Sequence, residues 1–352
     1  MELKCSCNNN CIIHSKDIEK RIKDAAPCSK CVIITLKKFK QLSDQICVSA
    51  INNEFGRCVC GKRSIDITMA HILKIMVDEG IDPKSFNLRN GAIPLSTPLE
   101  SEQNPQLTEN SLIILHPDFN EKIAKRIMDE VKEVKGVLKG NSKDIVGIID
   151  IGDECSSYEL LAGCDFRCDI IKTPLGAIAI NKKQHAVHLE FSASTENKIL
   201  KIDNYFKTEH LNKEDLPNLT LIDATCGCGA LGIYSLNYGF GNVTFNDINR
   251  AATEITAINL EANGYEVDYI LKDNGQSLKE NGHSENNLIA KGETFEVYNS
   301  SIEELSEKLS GFDKNSENNA KFDYCILDSF PQVDNEYFRE IAEKIAKNII
   351  II

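Results

Sequence analysis

Short apolar runs alternate with helix-like stretches in the last third of the chain. The runs that predict strands span residues 219–223, 242–247, 295–299, 322–328 and 348–352. Between them, residues 251–263 have a helical pattern that ends at Gly264. Strands that are joined by helices form a parallel sheet with crossover helices. We therefore expect an α/β domain with a parallel sheet over residues 216–352.

The pattern before residue 216 is less regular. Residues 65–80 predict an amphipathic helix and 120–139 a charged helix, whereas 145–151 and 184–191 predict strands and 170–180 a hairpin arm. Residues 81–111 are rich in Pro, Ser, Asn and Glu, which is typical of a linker. We expect a linker and an α+β domain that contacts the substrate over residues 81–215, after a cysteine-rich module and helix over residues 1–80.

Cysteines are concentrated at the start of the chain, where eight of the 14 precede residue 61. The tight pairs Cys28/Cys31 and Cys58/Cys60 have the spacing of zinc-ribbon turns, in which two thiolates face one ion. These four side chains predict a structural Zn²⁺ site, because so small a module has too little core to fold without a staple. Residues 32–36, between the pairs, predict a strand.

A second group of metal-ligand side chains lies upstream and consists of Cys5, Cys7, Cys11 and His14. It is a candidate second metal site, with Cys47 as a spare ligand, although its spacing fits no established motif. An iron–sulfur cluster and reduced cysteines without a metal are alternatives for this module. Three later cysteines have no fourth partner in the sequence, which favours a structural role for Cys155, Cys164 and Cys168.

Composition narrows the class of protein further. Of the 352 residues, 42% are hydrophobic and 26% charged, which is typical of a globular protein. The formal net charge of −13 argues mildly against a partner whose phosphates must be neutralised. No apolar run is long enough to span a bilayer, and the first residues have no signal-peptide core. We therefore expect no membrane contact and a cytoplasmic location.

A glycine-rich turn follows the strand that ends at Asp223. Gly227, Gly229 and Gly232 match G-x-G-x-x-G, a spacing that nicotinamide enzymes share. The next strand ends at Asp247, about twenty residues later, where a carboxylate accepts both ribose hydroxyls of a bound nucleoside. These residues predict a pocket for a nucleotide-like ligand at a helix N-terminus.

The arrangement D-x-x-x-G-x-G from Asp223 resembles motif I of the class I S-adenosylmethionine (SAM)-dependent methyltransferases. The resemblance implies a Rossmann-like fold for residues 216–352 and SAM as the cofactor. The residues that it implies for cofactor binding are Asp223, Thr225, Gly227, Gly229, Asp247, Ile248 and Ser301. For Ser301 a second interpretation is a polar cap on the following helix.

The fourth predicted strand ends at Asp328, where a carboxylate can orient an acceptor nitrogen or accept its proton. An alternative role for Asp328 is a helix cap or loop anchor. The sequence Asp328-Ser-Phe-Pro331 resembles the D-P-F-G motif of the tRNA guanine-N2 dimethyltransferases, although Pro331 departs from it. This likeness implies Asp328, Phe330 and Pro331 as the catalytic residues around an acceptor guanine.

The leading hypothesis is SAM-dependent methyl transfer to a nucleophilic nitrogen, with tRNA as the partner. The alternatives are a protein or small-molecule acceptor, a non-catalytic scaffold that binds zinc and SAM, and a nicotinamide-dependent oxidoreductase. His188 and Glu190 share a face of the predicted strand 184–191, which is a polar strand face, a metal site or a substrate-facing pair. His71 is expected to be a core or interface histidine. The last strand is all isoleucine, so we expect the middle domain or a second subunit, as in a homodimer, to cover it.

Overall fold

The structure is a computed structural model that describes residues 5, 7, 11–96, 105–144, 146, 157–270, 287–310, 322–329 and 335–352. Phe330, Pro331, Cys155 and most of the predicted strand 145–151 lie outside these residues. Within the described part, none of the helices is both long and apolar enough to cross a membrane.

The first half of the chain combines helices with a small mixed sheet. Its elements are α1 (Ile18–Ala25), β1 (Arg63–Ser64), α2 (Ile65–Asp78), β2 (Ile93–Ser96), β3 (Gln106–Leu107), β4 (Leu112–His116), α3 (Glu121–Glu130), β5 (Val134–Lys139) and β6 (Glu159–Gly163). The sheet has the order β2-β4-β5-β6, and only the β4–β5 pair is parallel. Helices α2 and α3 cover it, and side chains such as Ile72, Ile127 and Val137 form their common core.

Two predictions for this region were wrong in part. The charged helix expected over residues 120–139 ends at Glu130, because Val134, Val137 and Leu138 are buried in the sheet beside β4. Tertiary pairing overrides the helical charge pattern there. The strand expected over residues 32–36 is irregular chain that belongs to no sheet of the described residues, and Val32 is 70% exposed. The predicted linker 81–111 contains β2 and β3.

A long hairpin and a helix lead into the second half of the chain. The hairpin consists of β7 (Phe166–Thr173) and β8 (Gly176–Lys183), and α4 (Ser192–Thr208) follows. Residues 170–180, which were expected to form one arm, contain parts of both arms and the turn between them. The strand predicted over 184–191 is wrong, since a 3-10 turn at Gln184–Ala186 and irregular chain occupy it. Side chains take the place of a neighbouring strand here: Gln184 Nε2 donates to Val187 O at 3.0 Å, and Arg167 donates to Glu190 O at 2.9 Å.

The remaining elements form a mostly parallel sheet with helices on both faces. They are β9 (Thr220–Asp223), α5 (Ala230–Tyr238), β10 (Asn242–Asp247), α6 (Arg250–Ala262), β11 (Asp268–Tyr269), β12 (Leu288–Lys291), β13 (Phe295–Asn299), α7 (Ile302–Ser310), β14 (Phe322–Leu327), α8 (Asn335–Ala342) and β15 (Ala346–Ile351). The order is β11-β12-β13-β10-β9-β14-β15. Strands β9, β10, β13, β14 and β15 are parallel, and β12 runs in the opposite direction and pairs antiparallel with both β11 and β13.

The order of the five parallel strands is that of a doubly wound sheet. Counted along the chain, they stand as 3-2-1-4-5, and the order reverses between β9 and β14. In such sheets ligands bind outside the carboxyl ends of the strands at the reversal. The predicted fold class and the five predicted strands are confirmed, and the ends of β9, β10 and β14 define the candidate site.

The core of this sheet extends across residue 215. Ile171 and Ile180 of the hairpin and Ile202 and Phe206 of α4 are buried in one cluster with Leu221 and neighbouring side chains of the sheet. The predicted domain limits at residues 80 and 215 stay predictions, but the hairpin and α4 belong by packing to the large sheet. Strand β15 is an edge of that sheet, where Ile350 is buried and Ile351 is 44% exposed. The cover expected over this edge also stays a prediction.

Candidate functional site

The glycine turn between β9 and α5 is built so that only glycine fits at two of its positions. Gly229 has a φ of +85°, and a Cβ there would lie 2.8 Å from Thr256 Cγ2. A Cβ on Gly232 would overlap the Phe245 ring, so α5 packs closely on β10. Gly227, at φ +53°, has nothing within 4 Å of its Cβ position and leaves open space at the strand ends. Backbone N–H groups at the start of α5 can therefore approach a ligand closely.

Asp223 ends β9 in full burial. Its Oδ2 accepts a hydrogen bond from Gly232 N at 2.9 Å, while its Oδ1 has no partner among the described residues. Burial, together with the nearby carboxylates of Asp328 and Asp247, raises the pKa of Asp223 to about 8. A buried carboxyl oxygen without a partner is costly and is therefore a feature of sites that bind a polar group.

Asp247 ends β10 and is fixed by the glycine turn. Its Oδ2 accepts from Gly227 N and its Oδ1 from Asn249 N, both at 2.8 Å. Burial raises its pKa, and these two N–H donors act in the opposite direction. A carboxylate offers about four acceptor positions, so two remain for ligand hydroxyls. Asp247 is thus held in place by the glycine turn and by Asn249, and its neighbour Ile248 is a 44% exposed apolar side chain.

The ends of β10 and β13 are joined by a buried polar pair. Asn246 Nδ2 donates to Ser300 O at 3.1 Å, and Ser300 Oγ donates to Asn246 Oδ1 at 2.8 Å. Ser301 Oγ accepts from Glu304 N at 3.1 Å, so this hydroxyl caps α7. The capping interpretation of Ser301 therefore describes its contact, and a role in cofactor binding stays a proposal.

Asp328, at the end of β14, pairs with a lysine that the sequence analysis did not identify. Lys198 Nζ of α4 lies 2.7 Å from Asp328 Oδ2 and 2.7 Å from Glu190 Oε1. Burial raises the pKa of Asp328, and Lys198 partly offsets this. Asp328 N also donates to Thr225 Oγ1 at 2.9 Å, which links the glycine turn to this strand end.

Glu190 therefore joins the site without the strand that was predicted to carry it. Its pKa is lowered, since the ammonium groups of Lys182 and Lys198 outweigh the effect of burial. His188, its expected partner, is half-buried, and Val146 N lies 3.5 Å from its Nδ1. Burial lowers the pKa of His188, which favours the neutral ring. His71 is a buried core histidine as expected, with Nδ1 at 3.3 Å from Arg63.

Asn259 of α6 and Asn263, which caps the end of that helix, attach the hairpin to the site. Asn259 Nδ2 donates to Cys228 O in the glycine turn at 2.9 Å and to Asn181 O at 3.0 Å. Asn263 exchanges hydrogen bonds with the backbone of Ala179 at 3.0 and 2.8 Å. The spacing of four places both amides on one face of the helix. That spacing was visible in the sequence, but their partners lie about eighty residues away.

The four cysteines of the predicted zinc ribbon meet. Cys28 Sγ lies 3.6 Å from Cys58 Sγ and 3.7 Å from Cys31 Sγ, and Cys31 Sγ lies 3.6 Å from Cys60 Sγ. Lys30 N donates to Cys28 Sγ at 3.4 Å. Thiolates bound to one tetrahedral ion at about 2.3 Å stand about 3.8 Å apart, so this set suits a single zinc ion.

The second cysteine group also gathers, but with a different fourth member. Cys5, Cys7 and Cys11 lie with Cys164, their Sγ atoms all within 4.8 Å of one another. His14, the expected fourth ligand, is not among them, and Cys164 is not the isolated structural cysteine that was expected. The reason is topological, because the fold brings residues 11 and 164 together across 153 positions of sequence.

The site thus combines three strand ends with carboxylates, a glycine turn at the reversal of strand order and a close contact between α5 and β10. The domain has the Rossmann-like fold expected of a class I methyltransferase. No protein-family profile and no curated protein matches the sequence at a significant level.

Solved structures give distant likenesses. The M. jannaschii tRNA m1G37 methyltransferase aligns with a TM-score of 0.34 and 12% identity over 66% of this chain and 55% of that one. Trm5b from Pyrococcus abyssi aligns with a TM-score of 0.37 and 16% identity, over 68% of this chain and 55% of that one. P. horikoshii TYW2 in complex with MeSAdo aligns with a TM-score of 0.38 and 14% identity, over 79% of this chain and 77% of that one. The chain spans about half the length of the first two, and at these TM-scores the fold assignment rests on the strand order.

Proposed function

We propose that the protein is a SAM-dependent methyltransferase whose cofactor lies across the carboxyl ends of β9, β10 and β14. The observation that carries the proposal is Asp247, which the backbone N–H groups of Gly227 and Asn249 hold at the end of β10 with acceptor positions to spare. In a doubly wound sheet this position receives the ribose of a bound nucleoside.

The neighbouring residues suit the other parts of SAM. Asp223 has a buried oxygen without a described partner, which suits a cationic or N–H donor group such as the amino group of the methionine part. Gly227 leaves space for close approach, and the exposed Ile248 offers an apolar surface for adenine. Bound SAM would supply an activated methyl group, so the protein mainly has to align an acceptor with it.

On the acceptor side, we propose that Asp328 orients a nitrogen or accepts its proton. Lys198 keeps a positive charge beside this carboxyl and so favours the carboxylate form, which is the form that can act as a base. Lys198 is held in turn by Glu190. Phe330 and Pro331 remain proposed acceptor contacts on the strength of the motif alone.

The substrate proposed first is a guanine nitrogen in tRNA, which rests on the resemblance of Asp328-Ser-Phe-Pro331 to D-P-F-G. A protein or small-molecule acceptor is the second candidate, and the net charge of −13 favours it. We further propose that Cys28, Cys31, Cys58 and Cys60 hold a structural zinc ion, and that the protein acts in the cytoplasm.

Calorimetric titration of the zinc-loaded full chain with SAM and with NAD tests the cofactor. Binding of SAM alone is expected, and Asp247→Ala should weaken it by tenfold or more, whereas the exposed Asp268→Ala should not. Failure of the folded wild-type chain to bind SAM would reject the proposal. Binding of NAD instead would favour an oxidoreductase.

The acceptor is tested with SAM that carries a labelled methyl group and a cell extract separated into RNA, protein and small molecules. Label in tRNA supports the first candidate, and label only in another fraction rejects it. If SAM binds but no fraction is labelled, the scaffold hypothesis is favoured. Asp328→Asn serves as the control for label that arises without the proposed acceptor site.

A further inference from the structure

Four cysteines from two distant parts of the chain meet beside the hairpin. Cys7 Sγ lies 3.5 Å from Cys5 Sγ and 3.3 Å from Cys11 Sγ, and Cys11 Sγ lies 4.0 Å from Cys164 Sγ. Cys164 is buried, at 1% exposure, while the other three are half-buried. Cys164 follows β6 directly and precedes β7 by one residue, so it marks the junction of the small sheet and the hairpin.

The spacing of the sulfurs suits one metal ion. All four Sγ atoms lie within 4.8 Å of one another, near the separation of about 3.8 Å for thiolates on a tetrahedral zinc ion. An iron–sulfur cluster places several iron atoms between its thiolates and needs them farther apart. The sulfur separations above 3 Å exclude a disulfide among these cysteines, because the bond in a disulfide is about 2.05 Å.

Hydrogen-bond donors surround the sulfurs as they do in metal-binding turns. The backbone N–H groups of Cys7 and Cys11 face Cys5 Sγ, and that of Phe166 faces Cys164 Sγ. The Lys135 side chain contacts Cys11 and also donates to Phe166 O. Such donors stabilise thiolates around a metal, and an ammonium group offsets part of their excess negative charge.

We propose that Cys5, Cys7, Cys11 and Cys164 hold a second zinc ion, which fastens the N-terminal segment to the junction between the small sheet and the hairpin. Four thiolates gathered without a metal would repel one another once ionised, and a Zn²⁺ ion removes that repulsion. Because the ion would close a loop of 153 positions, it restricts the unfolded chain strongly.

The segment that this ion anchors leads toward the cofactor turn. Ile13 N donates to Asn181 Oδ1 at 2.9 Å, and Asn181 Nδ2 donates to Ile13 O at 3.1 Å. Asn181 is bonded in turn to Asn259, which holds Cys228 O of the glycine turn. The apolar contacts of the segment are few, with Ile13 and Ile18 packed on the hairpin. The second ion therefore supplies the attachment that this small contact area lacks.

Elemental analysis of the purified full chain tests the proposal. Wild type is expected to hold two zinc ions per chain, and Cys164→Ser and Cys7→Ser one each. His14→Ala and the exposed Cys47→Ser should retain two. The proposal is overturned if wild type holds one zinc ion, if Cys164→Ser still holds two, if His14→Ala holds one, or if iron fills the second site.

Cys164→Ser changes a buried side chain and can prevent folding. Cys7→Ser changes a half-buried cysteine of the same site and therefore tests the proposal independently. Cobalt loading gives a second readout, because each tetrathiolate site adds a sulfur-to-cobalt charge-transfer band. Cys7→Ser should halve this absorbance, and an unchanged band overturns the proposal. The zinc count is independent of SAM binding, so failure of the proposed methyl transfer would leave this result standing.

Discussion

Asp223 is expected to make the protein less stable as the pH rises from about 4 to 8. Burial raises its pKa from 3.8 to about 8, so the folded state holds a proton that the unfolded chain releases above pH 4. The free energy of unfolding then falls by about 1.4 kcal/mol for each pH unit in this window. At pH 7 the accumulated cost is about 4 kcal/mol, as an upper value, because relaxation and water penetration reduce it.

Asp223→Asn removes this cost and isolates its pH dependence. The amide oxygen can still accept the bond from Gly232 N. The amide N–H₂ group takes the buried position of Oδ1, which has no described partner, and this unsatisfied donor costs about 1 kcal/mol of stability. The variant should therefore be more stable than wild type near neutral pH, and by an amount that grows with pH. In the same protein the affinity for SAM should fall, because an amide cannot ionise to pair with the cationic amino group of the methionine part, as the carboxyl of Asp223 can.

Scanning calorimetry of both zinc-loaded proteins between pH 5.5 and 7.5 measures the effect. The difference in Tm should widen by about 2 to 4 °C for each pH unit. Asp323→Asn is the control, since bonds from Lys347 and Thr220 lower the pKa of Asp323 in spite of burial, and neither partner changes its ionisation in this range. Its stabilising effect is complete above about pH 4, so the loss in that variant should not change over this range. A Tm difference for Asp223→Asn that is flat, or that shrinks with pH, would refute the reasoning.

Three further outcomes follow from contacts around the site. Gly229→Ala should cost about 1 to 3 kcal/mol and abolish SAM binding, because its Cβ meets Thr256 at a positive φ; thermal unfolding and calorimetry measure this. Lys198→Met should move the fall of the methyl-transfer rate at low pH, the acid limb of the pH–rate profile, to a pH higher by one unit or more, since Asp328 loses the cation that lowers its pKa. Asn259→Ala should cost about 2 kcal/mol or more, because buried backbone groups of the turn and the hairpin lose their partner, and thermal unfolding measures this loss.

Controls separate these effects from general loss of structure. Gly176→Ala has a positive φ but open space around its Cβ, so it should cost less than Gly229→Ala and leave SAM affinity unchanged. The exposed Lys213→Met should leave the rate profile where it is. An acid limb that does not move in Lys198→Met would mean that Asp328 does not act as a carboxylate in the reaction.

Local pattern was sufficient for the five parallel strands of the large sheet, but not for β11 and β12. Each parallel strand is a short apolar run, and all but β15 end in or directly before a polar residue. Burial on both faces gives such strands a strong hydrophobic signal. The positions of Asp223, Asp247 and Asp328 at strand ends followed directly, because parallel strands end at the same edge. The first cysteine set was also predictable, since each pair is local in sequence.

The residues missed were those whose roles depend on distant partners. Lys198 looks like one of several lysines on a helix until α4 packs beside β14, and Cys164 lacks a partner until the N-terminal segment reaches it. Residues 184–191 have alternating character, but side-chain hydrogen bonds hold their backbone in place of a neighbouring strand.

The sequence by itself determined the five parallel strands of the sheet and the spacing of its carboxylates, because hydrophobic periodicity and turn chemistry act over a few residues. Only the tertiary structure decided what faces those carboxylates and which cysteines share an ion. Contacts such as Lys198–Asp328 and Cys11–Cys164 span 130 and 153 positions. No local pattern encodes pairs so far apart, and they are fixed only when the core of hairpin, α4 and sheet has packed.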